Sequence, residues 1–194
     1  SDPQTVSVQV YDSLNVSLNA PGLICGGAFA ELEADAFNGG SGAGYSFDWT
    51  WQSNSVGGDE NYWVDYPEFT GTYCVTLSDN CETPAVTACE EVVIETPIPA
   101  DFTSDTTRSC VPGVFQFESL VDPDLIDQTE WFFGDGELAY ESAPAHAYLN
   151  PGSYDITFNI TSLIGCEYTN FQPNYLQVFT PPYVGFTATP QPTR

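Results

Sequence analysis

The sequence predicts an all-β protein built of two tandem β-sandwich modules, and three observations carry that expectation. First, apolar and polar residues alternate with a period of two. The clearest case sets Tyr154, Ile156, Phe158 and Ile160 against Asp155, Thr157, Asn159 and Thr161, a strand with one buried face. Second, 16 Gly and 15 Pro in 194 residues, with 14% aromatics and no clear helical pattern, suit short strands joined by tight turns. Third, Gly71-Thr72-Tyr73 and Gly152-Ser153-Tyr154, 81 residues apart, each open an alternating strand, which signals an internal repeat.

Taken in order, residues 5–11 (TVSVQVY) alternate, and Leu14, Val16 and Leu18 continue after a break. Residues 1–12 read as the terminal strand of a preceding module or a linker, and residues 13–97 as the first sandwich. Within it Cys25 opens a strand that includes Phe29, Leu32 and Ala34. Residues 37–44 (FNGGSGAG) form a turn. Tyr45, Phe47, Trp49 and Trp51 then share one strand face, which supplies tryptophan to the core. Tyr62, Trp63, Val64 and Tyr66 make another strand, ended by Pro67, and residues 90–95 close the module. Residues 96–99 are a stiff Pro-containing linker.

Residues 98–183 form the second sandwich, running through Phe102, Cys110, Phe115 and Phe117. A single helical turn is written at residues 122–128, with Asp122 as cap and Pro123 at the first position. The aromatic strand Trp131-Phe132-Phe133 must then turn at Gly134-Asp135-Gly136, where two glycines can take positive φ. Residues 184–194 read as a linker or the start of a following module.

The run WFFGDG from Trp131, the His146-Ala147-Tyr148 that follows and the Pro151-Gly152-Ser153-Tyr154 turn resemble the signature of the PKD family of immunoglobulin-like β-sandwich modules. The resemblance implies two immunoglobulin-like sandwiches, the second PKD-like. It places Trp131 and Tyr154 in the core and gives Asp135 and His146 loop-bracing roles. It brings no catalytic residue with it. The order of a cysteine-containing module and then a PKD-like one ending at Gly165-Cys166 also resembles the cell-surface adhesins of Bacteroidetes, including gliding-motility adhesins exported by type IX secretion. That likeness implies a non-enzymatic extracellular stalk and adhesion segment, with neighbouring modules of the same chain as partners.

Charge narrows the partners. The chain has 27 acids against two bases, Arg108 and Arg194, for a net charge of -25. Nucleic acid and anionic membranes are excluded as partners, because phosphates need cations on the protein. No run approaches eighteen apolar residues, so membrane insertion is not expected.

The six cysteines include no C-x-x-C pair and stand beside a single histidine, which argues against zinc and for disulfides in an oxidising, extracellular setting. Module two holds only Cys110 and Cys166, and their simplest bond is Cys110–Cys166. The corresponding positions in module one give Cys25–Cys81. A hairpin centred between Cys81 and Glu82 sets Cys74 opposite Cys89, giving Cys74–Cys89. Six cysteines formally permit 15 pairings.

Three chemistries remain. Asp122, Asp124, Asp127 and Glu130 form an acid-rich loop whose oxygens suit calcium, although the pattern is not an EF-hand; the competing reading is a solvated acidic surface. Tyr62, Trp63 and Tyr66 could stack on sugar rings, against the competing reading that they fill the core. That makes an accessory carbohydrate-binding pair of a polysaccharide-degrading enzyme the alternative function. Catalysis finds no support, for want of a G-x-S-x-G elbow or a nucleophile–base constellation around His146.

Overall fold

A computed structural model describes residues 11–37, 39, 44–79 and 83–185. The chain divides into two compact units between Thr96 and Pro97. Expectations for residues 1–12 and 184–194, for the 37–44 turn and for Cys81 fall wholly or largely outside the described residues.

Among the described residues module one contains eight strands: β1 (Val16–Asn19), β2 (Leu23–Ile24), β3 (Ala30–Ala36), β4 (Ser46–Trp51), β5 (Asn54–Gly57), β6 (Tyr62–Asp65), β7 (Gly71–Ser78) and β8 (Val86–Ile94). They form a three-stranded sheet, β1-β3-β6, and a five-stranded sheet, β2-β8-β7-β4-β5. Alternation buries Leu18, Ala30, Leu32 and Ala34 from the first sheet against Phe47, Trp49, Tyr73, Val75 and Leu77 from the second. Cys25 lies in the turn after β2, its carbonyl accepting from Ala28 at 3.1 Å, rather than opening a strand.

Module two repeats the plan with β9 (Phe102–Ser104), β10 (Arg108–Cys110), β11 (Gly113–Ser119), β12 (Ile126–Phe132), β13 (Leu138–Ala139), β14 (Ala145–Tyr148), β15 (Gly152–Ser162) and β16 (Glu167–Phe179). Again a three-stranded sheet, β14-β11-β9, faces a five-stranded one, β10-β16-β15-β12-β13. Strand for strand the order matches module one, so the Gly-Ser/Thr-Tyr repeat marks equivalent strands, β7 and β15. The expected helical turn is a 3-10 turn at Pro123–Leu125, where the Asp122 carboxylate accepts from the Asp124 amide at 3.0 Å.

One tryptophan organises each core. Trp49 and Trp131 are fully buried, and each indole N–H donates at 2.9 Å to a backbone carbonyl in the segment before the next edge strand, Glu60 and Glu141 respectively. A buried indole thus keeps its polar handle satisfied while its rings fill the space between sheets.

Cys74 and Cys89 face each other in the β7–β8 register and are disulfide-bonded, and Cys25 is disulfide-bonded too. The expected Cys110–Cys166 bond does not form. Cys110 is an exposed free thiol paired with Phe179 at the end of β16, whereas Cys166, buried and disulfide-bonded, immediately precedes β16. The 13-residue strand between them spans about 40 Å, far beyond a disulfide's reach.

Candidate binding surface

Pairing of β3 with β6 sets Glu31 opposite Val64 and Glu33 opposite Tyr62. Because side chains alternate, these four point away from the core while Leu32 and Trp63 point toward it. Tyr62 is exposed, as is Tyr66 just beyond the strand, and Tyr66 packs edge-on against the exposed Phe29 with ring centroids 6.2 Å apart. The Tyr62 hydroxyl is held above its ordinary pKa by desolvation first, then by a hydrogen bond to Glu31 and the charges of Glu31 and Glu33.

The result is a strip of Phe29, Tyr66, Val64 and Tyr62 bordered by two carboxylates. A shallow cavity of about 390 Å³ lies at one end, lined by Asn19, Ala20, Pro21, Phe29 and Glu31. Aromatic faces can pack on the apolar face of a ring, and carboxylates accept hydrogen bonds from hydroxyls.

Trp63 does not belong to this strip. It packs partly buried against the module-one core, beside Gly57. Of the three expected aromatics, two therefore face solvent. Phe29, Glu31, Glu33 and Val64 were missed, because their alignment with Tyr62 depends on a β3–β6 register that spacing alone does not reveal.

The acid-rich loop does not converge. Asp122 caps the 3-10 turn, Asp127 sits at a register shift in β12 and accepts from Gln128 Nε2 at 3.2 Å, and Glu130 accepts from Asn159 Nδ2 at 3.3 Å. Asp124 lies exposed within the turn itself. An extended strand separates Asp127 from Glu130 by about 10 Å. Among the described residues no three His, Cys, Asp or Glu side chains group as a metal site. The calcium expectation for these four acids is corrected accordingly.

In module two the signature residues form one connected brace. The Asp135 carboxylate meets His146 Nε2 at 2.8 Å and accepts from the Glu137 amide at 3.1 Å. Phe133 stacks flat on His146, with centroids 4.1 Å apart, and Tyr148 donates to the Phe133 carbonyl at 2.8 Å. Burial, then the charge of Asp135 and the neighbouring Tyr154, pushes the Tyr148 phenol well above its usual pKa. His146 is thus enclosed by ring and carboxylate contacts, not set beside a nucleophile.

Trp131 is fully buried, but Tyr154 is only half-buried. It sits near the start of β15, ahead of a register shift, and its hydroxyl donates to the Asn150 carbonyl at 2.9 Å. The buried tyrosine of this module is Tyr148, which sequence reading placed only within the motif.

Residues 94–178 match the family model for the PKD domain. The chain is also similar to the PKD1 domain of the Vibrio cholerae metalloprotease PrtV, at 28% identity over 42% of this chain and 95% of that one, with a TM-score of 0.35. The PKD1 domain of Vibrio anguillarum Epp gives 25% identity over 42% and 93%, with a TM-score of 0.36. Three N-terminal domains of the bacteriophage RB49 outer capsid protein Hoc align with 86% of this chain and 59% of that one, at 12% identity and a TM-score of 0.49. No curated protein matches.

The disulfides and the match of residues 94–178 to the PKD domain point to an extracellular protein. Among the described residues no helix is long and apolar enough to cross a membrane.

Proposed function

We propose that the chain is a non-enzymatic stalk and adhesion segment of a large cell-surface adhesin of the gliding-motility type, exported by type IX secretion. Its partners are neighbouring modules of the same chain and a surface glycan or protein, and neither nucleic acid nor membrane insertion enters its role. The observation that supports this reading is the placement of the short second strand against the last strand in each module. β2 runs parallel to β8, with the Val93 amide donating to Gly22 at 3.0 Å and the Glu95 amide to Ile24 at 2.8 Å. β10 runs parallel to β16, with the Gln177 amide donating to Thr107 and the Val111 amide to Phe179, both at 2.9 Å.

Once the first strand of a module, β1 or β9, has been drawn away from its antiparallel partner, tension slides the second and last strands past one another, because these are parallel neighbours. All their hydrogen bonds then bear load together instead of opening one at a time. The Cys74–Cys89 bond further locks β7 to β8. Single-molecule stretching tests the reading. Val93→Pro deletes one shear-loaded donor, since proline has no N–H. Module one should then unfold at clearly lower force while the module-two peak stays put. An unchanged module-one force would count against a load-bearing role.

A second reading, an accessory carbohydrate-binding pair, is favoured by the Phe29–Tyr66–Val64–Tyr62 strip. On a glycan array it predicts saccharide binding that Tyr66→Ala weakens by about tenfold or more, equivalent to ~1.4 kcal/mol. Silence across the array supports the stalk alone.

A further inference from the structure

The outer face of the five-stranded sheet in module two carries a feature that the sandwich does not require. The register sets Leu138 opposite Phe132, Phe132 opposite Thr157 and Thr157 opposite Phe171. These side chains cross four strands at one level, and Leu138, Phe132 and Phe171 are exposed by 46, 39 and 57%. The corresponding face of module one has Ser46, Asp48, Thr50 and Thr76 at outward positions of β4 and β7, with no aromatic among them.

Beside the apolar row, Glu130, Asn159 and Thr169 stand opposite one another, followed by Thr161 and Glu167. With Tyr140 they line a cavity of about 250 Å³. Its lining also includes the Gln128 carboxamide and the Thr129 hydroxyl, but no cationic side chain. Two carboxylates line it, and Asn159 gives its Nδ2 to Glu130 while its Oδ1 has no hydrogen-bond partner. Arg108, the one arginine among the described residues, pairs with Gln177, eight residues along β16 from Thr169 and about 26 Å away.

We propose that this face binds a cationic protein segment in extended form. An ammonium or guanidinium offers only donors, which suits a cavity of carboxylate and carboxamide oxygens. A neutral sugar brings acceptors as well and leaves both carboxylates uncompensated. The hydrocarbon stem of a Lys or Arg can lie along Phe132, and apolar neighbours can cover the Leu138–Phe132–Phe171 row. Adjacent outward rows are about 6.8 Å apart, the spacing of residues i and i+2 in an extended peptide. A net charge of -25 raises the encounter rate with such a partner. The proposal is independent of the stalk reading, which does not use this face.

The probe is a labelled peptide, Lys-Ser-Leu-Ser-Lys-Ser-Leu, titrated by fluorescence anisotropy into the full chain at about 0.15 M ionic strength. Binding is expected, and replacing its leucines with serine should weaken it by about tenfold. The double variants E130Q with E167Q, and F132S with F171S, should each weaken it by about tenfold as well. The pair E90Q with E91Q, exposed on β8 of module one and outside the strip of Phe29, Tyr66, Val64 and Tyr62, should leave it unchanged. Backbone amide shifts of the unsubstituted chain should map binding to Thr157, Thr161 and Thr169, a readout that needs no variant to fold. No binding up to about 1 mM overturns the proposal. So does equal weakening by the module-one pair, which indicates general attraction to an acidic surface, or displacement by neutral oligosaccharides.

Discussion

Trp131→Ala is expected to lower the stability of module two by about 3–5 kcal/mol, the usual cost of emptying a buried tryptophan site. Trp131 has no exposed surface, stacks on Phe158 with centroids 4.0 Å apart, and meets Phe102 and Phe117 at 5.3 and 5.5 Å. Its loss also strips the Glu141 carbonyl of the indole donor, adding about 1–3 kcal/mol wherever water cannot replace it. Against a net stability of about 5–15 kcal/mol for a domain, that is enough to leave the module marginal or unfolded. Each kilocalorie corresponds to roughly 4–8 °C for a domain of this size, so its calorimetric transition should fall by at least about 12 °C. Trp49→Ala should do the same to the transition of module one, because its indole makes the equivalent bond to Glu60. Trp131→Phe should be milder, since a ring still fills most of the site and the loss is the donor plus a smaller cavity. A Trp131→Ala transition displaced by less than about 4 °C would contradict the organising role assigned to this residue.

That role was legible in the sequence because it is local. A period of two puts Trp131 and Phe133 on one face with no further information, and the same pattern fixes Ile156, Phe158 and Ile160 as core. The bracing of His146 by Asp135 followed from a motif whose parts lie 11 residues apart, on either side of β13 and the crossing to the other sheet. What escaped was set by long-range register. Cys110 appeared to have one available partner, but β10 pairs with the far end of β16, and that pairing decides where its sulfur lies. Trp63 was grouped with Tyr62 and Tyr66, yet alternation in β6 turns it inward. Phe132 could have been recognised as outward from Trp131-Phe132-Phe133 alone. Its neighbours Leu138 and Phe171 could not, since they join it only through two different strand pairings.

Gly134→Ala should cost module two about 2–5 kcal/mol, combining conformational strain with a backbone collision. Gly134 has φ +78°, where a Cβ costs roughly 1–2 kcal/mol. An added Cβ would also lie 2.5 Å from the Asp155 carbonyl oxygen and 3.0 Å from its nitrogen. Those are backbone atoms of β15, not the movable end of a side chain, and Asp155 is itself tied down by accepting from the Asn174 amide at 2.6 Å. Overpacking against such a neighbour adds roughly 1–3 kcal/mol. Gly136 provides the internal control: its φ is +99°, but an added Cβ there meets nothing within 4 Å. Gly136→Ala should therefore show the conformational cost alone, and the difference between the two variants in denaturant unfolding isolates the collision. Because this turn aims Asp135 at His146, Gly134→Ala should also shift the His146 ring resonances, whereas Gly136→Ala should move them less. Equal destabilisation by the two alanines would mean that β15 yields to the added methyl, and the close approach of turn and strand would then not explain the glycine.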